Sequence, residues 1–415
     1  MNKYVKYISL GIFVAIPIGF IVGFSRAWNS PPSITAAGST AVQPLLAALG
    51  NYYDKADVTV QPGGSSLGMK VAADGSKSLG NASKNTYSSV GKATMEKNGF
   101  TWETWRDNGL KTITVAWDGI AIVYKPDSQD DPVLQINQDN ILMIYESFAG
   151  IKNYRLYDLF VNQIDVNNKK NNLLNYQNPI NSSFIKPYAR TGGGNASGTA
   201  TSFAKESGFN YSSKDEQRWK EAQDILLSGN YGSNVSTTNE SNVESWNRFN
   251  IENKPGSMIY LSLGFVSTNR EFIESQGYKI ANYYNPIYSP NNVPVIADTK
   301  NVTNKTYGWY SPLNTIIATN LANNLVKQFI WWLYTDEYVN RSDTDNPGLI
   351  QKIGYAPLSD EDKLKMFYLQ NETIIDNQIN TSNYKSYEDV FFHVTDIQKG
   401  STTWEKSNQW YGVPK

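Results

Sequence analysis

The amino-acid sequence predicts an α/β fold of two lobes. Residues 58–60 predict a short strand, and a glycine- and serine-rich turn at 62–68 leads from it into a helical run. Two nearly continuous apolar runs, 113–124 and 258–266, predict buried strands that cross from one lobe to the other. A chain of 415 residues is long enough to bury a large core and to divide into two compact lobes.

The N-terminal segment, residues 1–32, predicts a hydrophobic helix followed by a stiff proline spacer. Lys3 and Lys6 precede an uncharged run from Ile8 to Phe24, which favours an inside N-terminus and an exported remainder. The run is at the short limit for a membrane-spanning helix. Residues 25–27 resemble a cleavage site, so the segment is either a removable signal peptide or, as we favour, an uncleaved anchor.

Composition excludes several classes of function. The net charge is -1, with 37 basic and 38 acidic residues, which argues against a broad nucleic-acid surface. The chain has no cysteine, so it has no disulfide, no thiol nucleophile and no lipid-modified cysteine to anchor it. His393 is the single histidine, and a zinc site or histidine-based triad is therefore not expected. The sequence predicts no metal and no cofactor.

Three predicted helix starts carry glycine and hydroxyl residues, near positions 39, 65 and 198. The first turn of a helix leaves N–H groups without backbone partners, its dipole favours negative charge, and glycine lets a ligand approach the backbone. Arg190, just upstream of the third start, adds a forked cation. The sequence thus predicts an anion pocket whose ligands are Ser39, Thr40, Ser65, Ser66, Arg190, Ser197, Gly198 and Thr199.

These motifs, in this order, resemble the extracytoplasmic phosphate-binding protein of bacterial phosphate ABC importers. Further similarities lie at residues 79–84, 117–123, 255–260 and 354–358. The resemblance implies a two-lobed, periplasmic-binding-protein-like fold with a hinge between the lobes. It also implies that inorganic phosphate is captured between the lobes and delivered to the permease subunits of an ABC importer.

The resemblance adds two expected ligands, Ser83 and Asp118. Lys84 stands where relatives carry an acid or an arginine, so Asp118, alone in its apolar run, becomes the expected acceptor of a proton from phosphate. The alternative is that Asp118 ties the crossing strand to a neighbouring amide. The chain also carries extra residues between Arg190 and Ser197, so we expect Arg190 to reach the pocket by a different path.

The predicted organisation is residues 1–32, a signal or anchor segment; 33–118, the first part of lobe I; 119–264, lobe II; and 265–415, the return to lobe I with a C-terminal extension. The favoured interpretation is a phosphate-binding protein on the outer face of the cell membrane, which is not an enzyme and binds no nucleic acid. Two alternatives remain open. One is an exported phosphoester-processing enzyme, and the other is an anchored surface protein or adhesin that kept the fold without binding ligand.

Overall fold

The structure is a computed structural model, which describes residues 32–83, 96–101, 104, 108–161, 181–289, 293–343, 345–359, 362–363, 374–375 and 378–379. The predicted N-terminal helix, Lys84 and His393 lie outside these residues, as does almost all of the C-terminal extension. Within the part of the chain that is described, every helix is too short or too polar to cross a bilayer.

Lobe I begins with three parallel strands and two helices. They are β1 (Ser33–Gly38), α1 (Gln43–Gly50), β2 (Asp57–Pro62), α2 (Gly64–Ala73) and β3 (Leu79–Ala82). Gly38 lies opposite both Pro62 and Asn81, so the three strands end at the same edge of the sheet. The turns that follow β1, β2 and β3 therefore meet at this edge, where ligands of open α/β sheets collect.

One long strand, β4 (Leu110–Tyr124), joins the two lobes. All 15 of its residues are buried, as its apolar sequence predicts. Its first part pairs antiparallel with β11 (Tyr310–Ala318), up to Gly119, and its last part pairs with β8 (Ser257–Ser262), from Ile120 onward. The strand therefore changes partner between residues 119 and 120, where the hinge of a two-lobed fold belongs.

Lobe II continues the sheet on the other side of β4. Its strands are β5 (Gln135–Ile136), β6 (Lys186–Arg190), β7 (Ser236–Thr238) and β8. Its helices are α3 (Ile141–Ala149), α4 (Leu156–Val161), α5 (Gly193–Ala196), α6 (Gly198–Lys205), α7 (Glu216–Ser228) and α8 (Asn242–Glu252). β6 lies parallel between β7 and β8, and Arg190 is opposite Thr238, so β6 and β7 end together.

The chain after β8 does not return to lobe I at once. The remaining elements are α9 (Leu263–Thr268), α10 (Arg270–Ser275), β9 (Lys279–Ile280), β10 (Asn282–Tyr283), α11 (Thr299–Thr303), α12 (Asn324–Thr335), α13 (Glu337–Asn340), α14 (Leu349–Lys352), β12 (Ile374–Ile375) and β13 (Gln378–Ile379). β9 pairs with the lobe II part of β4, and β10 pairs with β5. The strand pairing returns to lobe I at β11, and the boundary at residue 265 stays a prediction.

The predicted strand 258–266 also ends earlier than its apolar run. β8 stops at Ser262, and α9 begins at the next residue. A continuous apolar run does not distinguish a buried strand from a buried helix, and here it contains both. The consequence is a helix start, that of α9, placed beside the crossing strand.

Candidate functional site

A row of buried hydroxyls joins the turns at the edge of lobe I. Ser39 Oγ donates to Ser83 Oγ at 2.7 Å, and the backbone N–H of Ser83 donates to Ser65 Oγ at 3.1 Å. These three residues are 2 % exposed or less. Three of the predicted ligands, from the ends of β1 and β3 and the start of α2, are thus in contact with one another.

The start of α6 in lobe II lies directly against this row. A Cβ atom added to Gly198 would stand 1.8 Å from Ser83 Oγ and 3.2 Å from Ser65 Oγ, so only glycine fits there. Ser197 caps the helix, since its Oγ accepts from Ala200 N at 3.1 Å. The helix starts of the two lobes therefore face each other, as an anion held between them would require.

The extra residues between Arg190 and Ser197 form the short helix α5. Gly192 and Gly193 lead into it with φ of 78° and 58°, the left-handed region that favours glycine. A Cβ on Gly193 would lie 2.4 Å from the carbonyl oxygen of Leu226, because the turn packs closely on the end of α7. The insertion therefore rests on lobe II and leaves the start of α6 free to approach Ser83.

Aromatic packing holds α6 in this position. Phe203 of α6 stacks on Tyr260 of β8 with ring centroids 4.1 Å apart, and on Trp309 at 5.4 Å. Trp309 also donates its indole N–H to the carbonyl of Ser202 at 3.1 Å. The site thus rests on a rigid core cluster, which reduces the reorganisation that ligand binding would need.

Arg190 is buried, 1 % exposed, at the end of β6. Its backbone N–H donates to the Tyr260 hydroxyl at 2.9 Å. Its Nη groups donate to four acceptors in the turn between β7 and α8 and the start of α8: Asn239 O at 2.8 Å, Ser241 O at 3.1 Å, Asn242 Oδ1 at 2.5 Å and Ser245 Oγ. The Arg190 side chain thus holds this turn, and its contact with the predicted pocket stays a prediction.

The acceptors around Arg190 are all uncharged. Among the described residues, no carboxylate lies within 4.0 Å of the guanidinium, and its buried Nε has no hydrogen-bond partner. Burial lowers the pKa of Arg190 because the charged form is desolvated. A buried cation whose charge is not matched by a contacting carboxylate attracts an anion.

Glu240 lies beside the predicted ligand Thr40, and the sequence did not predict it. It lies between β7 and α8, its Oε1 is buried, and the hydroxyls of Thr40 and Ser197 face its carboxylate. Burial raises the pKa of Glu240, while the positive charge of Arg190 and the two hydroxyls oppose the rise. One signal could have found it: Ser241 and Glu244 form a capping-box pattern directly after a strand, which marks one more helix start.

Asp118 is engaged elsewhere, by the start of α9. Its Oδ1 accepts from the backbone N–H of Gly264 at 3.1 Å, and the carboxylate is 4 % exposed. Burial raises the pKa of Asp118 to about 7, and the nearby Ser262 hydroxyl and the backbone of Gly264 and Leu263 oppose the rise. This contact corresponds to the alternative given by the sequence, in which Asp118 links the crossing strand to a neighbouring amide.

Three other expected ligands lie at the helix starts. Ser66 is half-buried in the first turn of α2, and Thr199 is buried in the first turn of α6. Thr40 donates its hydroxyl to the backbone oxygen of Glu240 at 3.5 Å, a contact between the two lobes. A groove of about 440 Å³ opens beside Thr40, and its lining includes Ser241, Asn242, Gly264, Phe265 and Tyr355.

Sequence comparisons find one family and one curated relative. A sequence profile for a PBP superfamily domain matches residues 26–337. An uncharacterized lipoprotein from Mycoplasma genitalium is 34% identical over 351 residues, which cover 80% of this chain and 85% of the relative.

Comparison with solved structures finds the same fold. The ancestral soluble variant of the human phosphate-binding protein matches with a TM-score of 0.54 at 14% identity, covering 85% of this chain and 98% of that one. A high-affinity periplasmic phosphate-binding protein, solved with bound phosphate, matches with a TM-score of 0.52 at 13% identity, covering 84% and 97%. At these identities the matches establish the two-lobed α/β architecture.

Proposed function

The chain belongs to the PBP superfamily, and we propose that it is an extracytoplasmic binding protein that captures inorganic phosphate between its lobes and delivers it to an ABC importer. One observation carries the proposal. Arg190 is buried beside facing helix starts, and no carboxylate of the described residues is in contact with it. A buried oxyanion needs such a cation together with many directed N–H and O–H donors.

The proposed ligand contacts come from both lobes. Lobe I offers Ser39, Thr40, Ser65, Ser66 and Ser83, and lobe II offers Arg190, Ser197, Gly198 and Thr199. Together these hydroxyl, backbone N–H and guanidinium donors could surround a tetrahedral anion, so that each of its oxygens would accept more than one hydrogen bond. Two of the solved structures that this chain resembles are phosphate-binding proteins, which supports this choice of ligand.

Capture would proceed by closure of the lobes. A ligand that contacts both helix starts gains bonds in the closed form that the open form cannot offer, so it shifts the population toward closure. β4 connects the two lobes through a single change of pairing partner, which makes residues 119 and 120 the natural hinge.

We propose a different role for Asp118 from the one its sequence context suggested. Its carboxylate already accepts bonds from the start of α9, so it would secure the crossing strand rather than accept a proton from phosphate. The preference for phosphate over sulfate would then depend on other groups of the site, since sulfate carries no proton to donate.

Anchoring is proposed through the N-terminal apolar run. The Mycoplasma relative is named a lipoprotein, whereas this chain has no cysteine to carry a lipid. A hydrophobic helix would hold the protein at the membrane beside its permease in place of a lipid.

An anion panel tests the proposal. The full chain in detergent micelles is titrated calorimetrically with orthophosphate, arsenate and sulfate. We expect phosphate and arsenate to bind, and sulfate to bind more weakly because it carries no proton to donate to an acceptor of the site. Arg190→Ala should abolish phosphate binding, and Arg248→Ala, an exposed arginine on α8, should leave it unchanged. Equal binding of sulfate, or no binding of phosphate, would contradict the proposal.

A further inference from the structure

Glu240 places a carboxylate inside the proposed phosphate site. The two carbonyls that flank it in sequence, Asn239 O and Ser241 O, both accept from Arg190 Nη1, at 2.8 and 3.1 Å. On the other side, the Thr40 hydroxyl donates to the backbone oxygen of Glu240 at 3.5 Å. The turn that carries Glu240 is therefore held between Arg190 of lobe II and the start of α1 in lobe I.

The carboxylate faces donors that the proposed function assigns to phosphate. The Thr40 hydroxyl donates to the backbone oxygen of Glu240, and the positive charge of Arg190 and the hydroxyls of Ser197 and Thr40 oppose the rise that burial causes in the pKa of its carboxyl group. Its Oε1 is buried and has no hydrogen-bond partner among the residues described. So far as the structure describes the chain, one oxygen of the Glu240 carboxylate is therefore unpaired beside groups that the proposed function assigns to phosphate.

Two anions cannot share this set of donors without a cost. At a separation of a few ångströms and partial burial, like charges repel with an energy that is large compared with thermal energy. The repulsion disappears only if the carboxylate moves away from the donors or takes up a proton. Either change is coupled to the binding of the ligand.

We propose that Glu240 sets the affinity of the site as an internal anion that competes with the bound oxyanion for Arg190, Thr40 and Ser197. The inference rests on the proposed function. It means that phosphate binds less tightly than the donors alone would allow, which favours release of the ligand to a permease. In this role Glu240 weakens phosphate binding, whereas a carboxylate that accepts a hydrogen bond from a phosphate proton would strengthen it.

The charged groups around Glu240 determine whether its competition with phosphate weakens or strengthens as the pH falls. The titratable and charged groups that face it from the neighbouring elements are Arg190 on β6, Tyr231 before β7 and Tyr260 on β8. The tyrosines stay neutral, because burial raises the pKa of both. Competition should therefore weaken as the pH falls toward the pKa of Glu240 and the carboxylate becomes neutral.

The test compares the full chain in detergent with two charge-matched variants, Glu240→Gln and Glu221→Gln. Glu221 is exposed on α7, so its variant removes a negative charge outside the site. Orthophosphate is titrated calorimetrically at about pH 8 and at about pH 5. We expect Glu240→Gln to bind phosphate about tenfold more tightly at the higher pH, and Glu221→Gln to stay within about twofold of wild type.

The ratio of the wild-type and Glu240→Gln dissociation constants is the informative quantity, because both proteins meet the same mixture of phosphate species at each pH. We expect this ratio to be smaller at the lower pH, because a larger fraction of the Glu240 carboxyl group is then protonated. Weaker binding by Glu240→Gln would overturn the inference, since the carboxylate would then be accepting a proton from the ligand. Unchanged binding would overturn it as well, because Glu240 would not oppose the ligand.

Failure of the proposed function has a different signature. If neither wild type nor Glu240→Gln binds phosphate, the phosphate assignment falls and the inference falls with it, whereas the two outcomes above leave the assignment standing. Thermal unfolding checks that each variant is folded. Should Glu240→Gln unfold, Glu240→Ala is titrated in its place, and the same tighter binding is expected.

Discussion

Two buried carboxylates of this protein, Asp118 and Glu240, differ in the donors that surround them. Asp118 accepts from the backbone of Gly264 at 3.1 Å and receives further bonds at the start of α9. Glu240 Oε1 has no hydrogen bond within the described part of the chain, and its cation Arg190 is not in ion-pair contact. The two carboxylates are therefore distinguished by their hydrogen bonds, and this difference is why we propose a ligand-linked role for Glu240 and a structural role for Asp118.

Arg190→Ala is expected to have the largest effect, and it tests how the turn that carries Glu240 is held. Arg190→Ala deletes the donor of four hydrogen bonds to residues 239–245 and leaves buried acceptors unpaired. We expect the free energy of unfolding to fall by about 3–5 kcal/mol, the usual cost of removing one partner from a buried charged network. Urea denaturation measures the change. Arg248→Ala is the control, and an equal loss in both variants would show that Arg190 does not hold the turn.

Asp118→Asn tests the other carboxylate through the pH dependence of stability. The folded-state pKa of Asp118, about 7, lies above its ordinary value, so the folded protein binds the proton more tightly than the unfolded chain does. The stability that this proton provides is present at acidic pH and is lost as the pH rises from about 4 through 7, on the order of 4 kcal/mol in all.

The asparagine variant cannot ionise, so its free energy of unfolding should lack this fall between about pH 4 and about pH 7. Denaturation curves at several pH values measure it. We also expect Asp118→Asn to keep the wild-type preference for phosphate over sulfate. Loss of that preference would show that Asp118 contacts the ligand, and Asp118 and Glu240 would then no longer differ in this respect.

Gly198→Ala tests whether the two helix starts must touch. The new methyl group would lie 1.8 Å from Ser83 Oγ, so we expect a loss of about 1–3 kcal/mol in the free energy of unfolding and weaker phosphate binding. Ser83→Ala removes the clashing hydroxyl. The double variant should therefore lose less stability than the sum of the two single variants, and strict additivity in the double-mutant cycle would argue against this contact.

Ser262→Ala is expected to have the smallest effect, and it tests which groups stabilise the Asp118 carboxylate. The Ser262 hydroxyl lowers the pKa of Asp118, so its removal should shift the pH-dependent loss of stability to higher pH. The change in the free energy of unfolding should stay below about 1 kcal/mol, the typical net value of one hydrogen bond. An unchanged pH profile would show that backbone donors alone hold the carboxylate.

The sequence was sufficient to predict the two-lobed α/β class, and the fold confirms it. Apolar runs and turn residues are local signals, which explains why the buried strand at 113–124 and the helix at Ile141 were found. The same local signals predicted helix starts at Ser65 and at Ser197, which Gly198 brings together. The assignment of these residues to phosphate remains a prediction.

Tertiary structure alone decided which carboxylate faces the predicted site. Thr40 and Glu240 are 200 residues apart in the chain, and Asp118 and Gly264 are 146 apart. No periodicity links positions so distant, because their contact depends on how the two lobes pack around β4. The amino-acid sequence by itself determined the fold class and the local helix starts, since these follow from the preferences of neighbouring residues. The roles of Asp118 and Glu240 required the fold, since desolvation and donor geometry exist only after long-range packing has formed.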